Sequence, residues 1–265
     1  MSMDLTPVQV VLAILSGGVV GFALGLIGGG GSILAVPLLL YVVGIHNAHL
    51  VIGTTALAVA VNAYLNLIPH ARVGNVRWKA AVAFAIPGAI GAYIGSTLGK
   101  DMDGKALLFL FAILMLVVAI LMLKPKKNNS TEMNPDIDVK FGKVIPAGLI
   151  VGIVSGFFGI GGGFLIVPGL LFSTEMPMIW AIGSSLFSVG TFGLTTAMNY
   201  AISGLVDWMV VLEYVGGGIV GGILGAMLAT RLSKSKRMLN YVFSSVIVVV
   251  AIYMLYVNFS AFHHL

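Results

Sequence analysis

The chain has 265 residues, of which 59% are hydrophobic and 9% charged, with a mean hydropathy of +1.08. Ordinary soluble domains carry about 25% charged residues, so the composition specifies an integral membrane protein. The net charge of +5 sits in connections and reads as membrane orientation rather than a nucleic-acid surface, and the absence of cysteine excludes disulfides, iron–sulfur clusters and thiol chemistry.

Apolar runs of roughly 20 residues recur, the length that carries a helix across a bilayer. Short alternating segments of the kind that build a membrane β-barrel are absent. The first ten residues hold no Lys or Arg, so a cleaved signal peptide is not expected. The first run, 8–27, spaces Gly17, Gly21 and Gly25 by four, a small face for a neighbouring helix. Next comes a glycine hinge, Gly28, Gly29, Gly30 and Gly31, followed by Ser32 and a run to residue 43 that is too short to span alone. The motif 25–37, closed by Pro37, returns 131 residues later as 156–168, with Gly159, Gly161, Gly162 and Gly163 in the second hinge and Pro168 at its end. The spacing predicts a half-helix starting at each hinge; a single kinked helix with a glycine packing face is the other reading.

The third run, 48–68, carries Thr54, Thr55, Asn62 and Asn66 inside an apolar background, and a basic loop with His70, Arg72, Arg77 and Lys79 follows. The fourth run, 80–98, has Gly91 and Gly95 with Gly99 just beyond, and the fifth covers 106–123. Residues 124–143 form the one hydrophilic stretch of any length, with five lysines, and read as a cytoplasmic linker between a first repeat, 1–123, and a second, 144–265. The second repeat follows the same order. Its polar helix, 179–201, carries Ser184, Ser188, Thr191, Thr195 and Asn199 as one stripe, with Ser185 and Thr196 beside it. The sequence Gly74–Trp78 returns as Gly204–Trp208, and Gly88, Gly91 and Gly95 as Gly218, Gly221 and Gly225, now 130 residues later. One residue has been lost between the hinge and the polar helix. A shared offset over so long a stretch marks an internal duplication.

Equivalent loops differ in charge. The loop at 70–79 holds Arg72, Arg77 and Lys79; its counterpart at 200–208 has no Lys or Arg and carries Asp207. The last loop is basic, while its counterpart at 100–105 has two lysines balanced by two aspartates. Because Lys and Arg mark cytoplasmic loops, the halves are expected to be inverted, with five helical segments each. Counting each hinge pair as one broken span would give eight segments and parallel halves. The expected fold is thus an all-α polytopic membrane protein of 8–10 helical segments in two homologous, inverted halves with glycine-hinged half-helices.

Glycine N–H groups at the start of a half-helix, at the positive end of its dipole, can hold an anion without a fixed cation. Neither hinge is a nucleotide loop, since no Gly-Lys-Ser/Thr follows. The candidate substrate-binding residues are therefore the hinges, the hydroxyl pairs Thr54–Thr55 and Ser184–Ser185, and Asn62, Asn66, Thr195 and Asn199. The hydroxyls could equally bond a carbonyl one turn back, and the amides could join helices. His46 and His49 read as loop residues rather than a metal pair. Trp78, Trp180 and Trp208 read as interface anchors. No metal, cofactor or catalytic set is expected.

The doubled Gly28–Pro37 and Gly159–Pro168 motifs, the Gly53-Thr54-Thr55 and Gly183-Ser184-Ser185 turns, and the two Gly-x-Val-x-Trp repeats resemble the sulfite exporter TauE/SafE family over nearly the whole chain. The resemblance implies a multi-spanning permease, mostly prokaryotic, for small sulfur-containing anions such as sulfite and organosulfonates. It also implies that substrate binds at the hinges and hydroxyl turns. The expected function is secondary transport of a small anion by alternating access in a bacterial plasma membrane; a passive anion channel is the alternative. The expected partners are the anion and the lipid bilayer, with a coupling ion (H+ or Na+, left unassigned) and a second copy of the chain as candidates.

Overall fold

The structure, a computed structural model, describes residues 5–123, 140–159, 163–231 and 236–259. Among these residues there is no strand and there are ten α-helices: α1 (Pro7–Ile27), α2 (Ala35–Pro37), α3 (Ala48–Arg72), α4 (Trp78–Asp101), α5 (Gly104–Leu123), α6 (Phe141–Phe158), α7 (Gly163–Thr174), α8 (Met178–Ile202), α9 (Trp208–Arg231) and α10 (Lys236–Asn258). Six of them, α1, α3, α4, α6, α8 and α9, are long and apolar enough to cross a membrane. Most of the expected linker, residues 124–139, lies outside the described residues.

The glycine stripes are crossing points. A Cβ placed on Gly17, Gly21 or Gly25 of α1 would strike the backbone of Tyr214, Gly218 or Gly222 in α9. The partner numbers rise together, so α1 and α9 run in the same direction. Gly91, Gly95 and Gly99 of α4 lie in the same way on Leu149, Ile153 and Phe157 of α6, again in the same direction. Lipid gives helices no hydrophobic reason to associate, so close backbone approach supplies the attraction, and glycine alone allows it here. α1 and α6 are counterparts, as are α4 and α9, so each half places its first long helix against the fourth helix of the other half. α5 packs on α10.

The counterparts α3 and α8 form the centre. In their apolar windows, 72% of α3 and 61% of α8 is buried, against 28–44% for the other four spans. Gly53 lies on Tyr200, Gly193 on Ala56 and Ala60, Gly190 on Tyr64, and Gly183 on Asn75. One set of numbers falls as the other rises, so α3 and α8 cross antiparallel. Leu205 sits at the start of α3, beside Gly53, and Asn75 lies beyond its end.

The two hinges differ. After α1, residues Gly28–Leu34 wind as a 3-10 helix, followed by the short α2 and a π turn, Leu38–Val42. Pro37 lacks the N–H that an α-helix would use, which fits the widened turn after it. The chain nevertheless doubles back, because Gly31 packs on Ala23 and Leu24, and Gln9 Nε2 donates to the Val43 carbonyl at 3.1 Å. A half-length apolar helical run, Gly31–Val42, does follow the first hinge, but the glycines themselves are wound as a 3-10 helix, which already pairs N–H with the carbonyl three residues back. The second half follows the expectation more closely. α6 ends at Gly159, which is left-handed with φ 67°, and α7 is a 12-residue helix beginning at Gly163. Gly161 and Gly162 lie outside the described residues.

Candidate functional site

The central pair brings together most of the polar positions singled out in the sequence, and hydrogen bonding sorts them. Thr54 Oγ1 accepts from the Asp207 N–H at 3.0 Å, and Ser184 Oγ accepts from the Arg77 N–H at 2.9 Å. These bonds are counterparts of one another across the duplication. Each ties a central helix to the loop that starts the fourth helix of the other half. Asp207 then caps α9, its Oδ1 accepting from Met209 N and Val210 N. Thr54→Ala and Ser184→Ala each remove the acceptor of a backbone donor. Each is expected to lower stability by about 1 kcal/mol, read as thermal unfolding in detergent.

Thr55 and Ser185 bond carbonyls of their own helices, at 2.8 Å to Val51 O and 2.8 Å to Ile182 O. Thr195 does the same with Thr191 O at 2.9 Å. Asn199 joins helices: its Nδ2 donates to Ser96 Oγ and Thr97 Oγ1 of α4, and its Oδ1 accepts from Lys100 Nζ at 2.8 Å. Lys100 also reaches Asn199 O and Ser203 Oγ. The sequence reading left Lys100 as a loop charge; its position one residue past Gly99, on the face that packs inward, was the available signal. Asn66 Nδ2 donates to Asn62 O at 2.9 Å. Asn62 differs from all of these. It is fully buried against Gly218, and neither its amide nitrogen nor its amide oxygen has a partner among the described residues.

Ser32 is fully buried just after the first glycine run, and that 3-10 segment lies against α7 and α8. The two turns do not share a level. Gly25, three residues before the first turn, touches Asn66, whereas Gly159 touches Ile52. Fourteen residues of α3 separate these contacts, about 21 Å along its axis. The glycine turns therefore stand near opposite ends of the central pair, with Asn62 and Asn66 nearer the first.

Trp180 is not an interface anchor. It is 7% exposed and lies under the Arg77 guanidinium, 3.4 Å from the ring centroid. Trp78 and Trp208 are exposed, as anchors require. His49 Nε2 lies 3.1 Å from the Met102 carbonyl, joining the start of α3 to the end of α4. No group of three potential metal ligands comes together among the described residues. Around Asn62 the centre offers neutral hydrogen-bonding groups, while the cations Arg77 and Lys100 reach α8 nearer its ends, at Trp180 and Asn199.

Comparison with known proteins agrees with this architecture. The sulfite exporter TauE/SafE family profile matches residues 13–254. A "Probable membrane transporter protein" of Xylella fastidiosa (strain 9a5c) is 54% identical over 249 residues, covering 94% of this chain and 95% of its own. The "Probable membrane transporter protein MJ0441" of Methanocaldococcus jannaschii is 31% identical over 203 residues, 75% of this chain and 72% of its own. YunE of Bacillus subtilis, with the same description, is 27% identical over 243 residues, 84% and 89% of the two chains. No solved structure matches the chain. With a profile match over nearly its whole length, on a bundle of membrane-length helices, this chain is a multi-pass membrane protein of the sulfite exporter TauE/SafE family.

Proposed function

We propose that the chain is a secondary transporter of a small sulfur-containing anion, of the sulfite or organosulfonate type, working by alternating access of two inverted repeats, 1–123 and 144–265. The family is one of transporters rather than enzymes. The observation that supports the mechanism is the antiparallel crossing of α3 and α8. Counterparts in inverted repeats must run in opposite directions, and parallel repeats would run them the same way. The exchanged pairing of α1 with α9 and α4 with α6 fits the same two-fold relation.

In this reading the path follows the central pair. Gly28, Gly29, Gly30 and Gly31 flex near one end, and Gly159 and Gly163 near the other. Asn62 and Asn66 contact the substrate between them. Separate flexible turns near the two ends suit a device that opens one side at a time, since a backbone break is tolerated in a membrane only where protein or a wet cavity receives it. Thr54, Ser184 and Asn199 hold the frame rather than the cargo.

Transport is tested with purified protein in proteoliposomes, by uptake of radiolabelled sulfite, thiosulfate and ethanesulfonate. Saturable, protein-dependent uptake of at least one is expected. Single-channel currents far above transporter turnover would replace the reading with a channel. Inversion is tested separately. The natural chain lacks cysteine, so Asn75→Cys and Leu205→Cys each give a unique label. The two are expected to react with an impermeant maleimide from opposite faces, Asn75→Cys from the cytoplasmic side. Labelling from one face would mean parallel halves.

A further inference from the structure

The duplication allows each buried position to be compared with its counterpart 130 residues away, and one pair of positions departs from the symmetry in a telling way. Phe84 of α4 and Phe192 of α8 are fully buried and stacked, with ring centroids 6.2 Å apart and planes 17° from parallel. Phe192 lies against Gly88. The counterpart of Phe84 is Tyr214, that of Phe192 is Asn62, and that of Gly88 is Gly218. Asn62 lies against Gly218 as Phe192 does against Gly88, and Tyr214, one turn before Gly218, shares that face of α9. The framework is the same on both sides, but one side holds a closed aromatic stack and the other an amide and a phenol.

The polar side is not satisfied within the protein. Asn62 Nδ2, Asn62 Oδ1 and the Tyr214 hydroxyl have no hydrogen-bond partner among the described residues, and both side chains are fully buried. Ser16 Oγ on α1, beside the Gly17 that packs on Tyr214, is buried and unpartnered too. Leaving such a group buried and unpaired costs stability. On the other side Phe84 and Phe192 fill the two corresponding positions with apolar rings, so the framework does not require an amide and a phenol there, although Ser188 and Thr196, one turn either side of Phe192, are buried and unpartnered among the described residues too. Polar groups kept buried and unpaired call for something else to pair them.

We propose that Tyr214 is a substrate-binding residue acting with Asn62, and that the site is one-sided: it lies between α1, α3 and α9, while its symmetry mate is sealed by Phe84 and Phe192. The inference rests on the transport reading above. The amide on α3 supplies two N–H donors and the phenol on the neighbouring α9 one O–H donor. Such a set binds a small oxyanion through its oxygens, by hydrogen bonds alone, and releases it readily because no ion pair must be broken.

The test compares Tyr214→Phe, Asn62→Leu and Phe84→Tyr, using uptake of the same three anions together with thermal unfolding. Tyr214→Phe and Asn62→Leu are expected to reduce the apparent affinity about tenfold or more while leaving the unfolding temperature unchanged or raised, because they delete unpaired buried polar atoms. A purely structural role would lower both together. Phe84→Tyr is expected to leave affinity unchanged. Wild-type uptake that survives Tyr214→Phe and Asn62→Leu, or that falls only in step with stability, would overturn this inference and leave the transport reading intact. A wild-type protein that moves none of the three anions would overturn both.

Discussion

Replacing Gly21 by leucine is expected to prevent stable assembly of the protein in the membrane, whereas Gly216→Leu is expected to be tolerated. A Cβ at Gly21 falls on the carbonyl of Gly218, with the Gly218 Cα and carbonyl carbon close behind. These are backbone atoms, so no side chain can rotate out of the way. The neighbouring contacts, Gly17 on Tyr214 and Gly25 on Gly222, keep the two axes from separating at one point alone. Overpacking an ordinary core costs about 1–3 kcal/mol; here the insertion must part a backbone-to-backbone seam, and the cost is put at about 3 kcal/mol or more. Gly216 stands only two residues from Gly218 in the same helix, yet a Cβ there touches nothing within 4 Å. Helix propensity and hydrophobicity change alike in the two variants, so the comparison isolates the crossing. The measurement is the monodisperse fraction in detergent, followed by thermal unfolding. A Gly21→Leu protein that elutes and unfolds like the parent would mean that α1 and α9 do not pack through this seam.

Gly159→Ala is expected to cut transport strongly, for two separable reasons. The backbone there has φ 67°, which costs a residue with a Cβ about 1–2 kcal/mol. The new Cβ also falls on Ile52 Cγ2 of α3. Shortening the neighbour in the double variant Gly159→Ala, Ile52→Ala removes the collision but not the backbone strain. Partial recovery of uptake and stability is therefore the expected result, measured against Ile52→Ala alone. Full recovery would assign the whole effect to the collision and none to the left-handed turn. No recovery would mean that the turn carries all of it.

The membrane class and the helical segments were legible because they rest on length and composition. Glycine and tryptophan landmarks repeat at a fixed offset, and the proposed two-repeat organisation rests on that offset. The glycine stripes announced helix contacts, but nothing in them said that Gly21 would meet Gly218 rather than a stripe in its own half. Pairing between stripes depends on how whole helices are arranged, and every stripe carries the same local signal. The 3-10 winding of the first hinge was not legible, because four glycines permit a loop or a tight helix alike, and the segment packs on α7 and α8. The hydroxyl pairs stayed ambiguous for a related reason. Thr54 and Thr55 are chemically identical in the sequence, yet one reaches a loop donor and the other bonds its own helix, and only their directions on α3 tell them apart. Trp180 was assigned by residue type, and the Arg77 that covers it comes from the other half of the chain.

The exchanged seams also govern how the protein can be made. α1 leaves the ribosome well before α9, yet the backbone it must lie against belongs to residues beyond Trp208, so its glycine face waits in lipid while the intervening helices are synthesised. α4 waits likewise for α6. Neither half can complete its own packing. Two separately expressed halves are useful only if they are produced together in one bilayer, and a truncated product ending before α9 would leave its opening helix without a mate and exposed to membrane proteases.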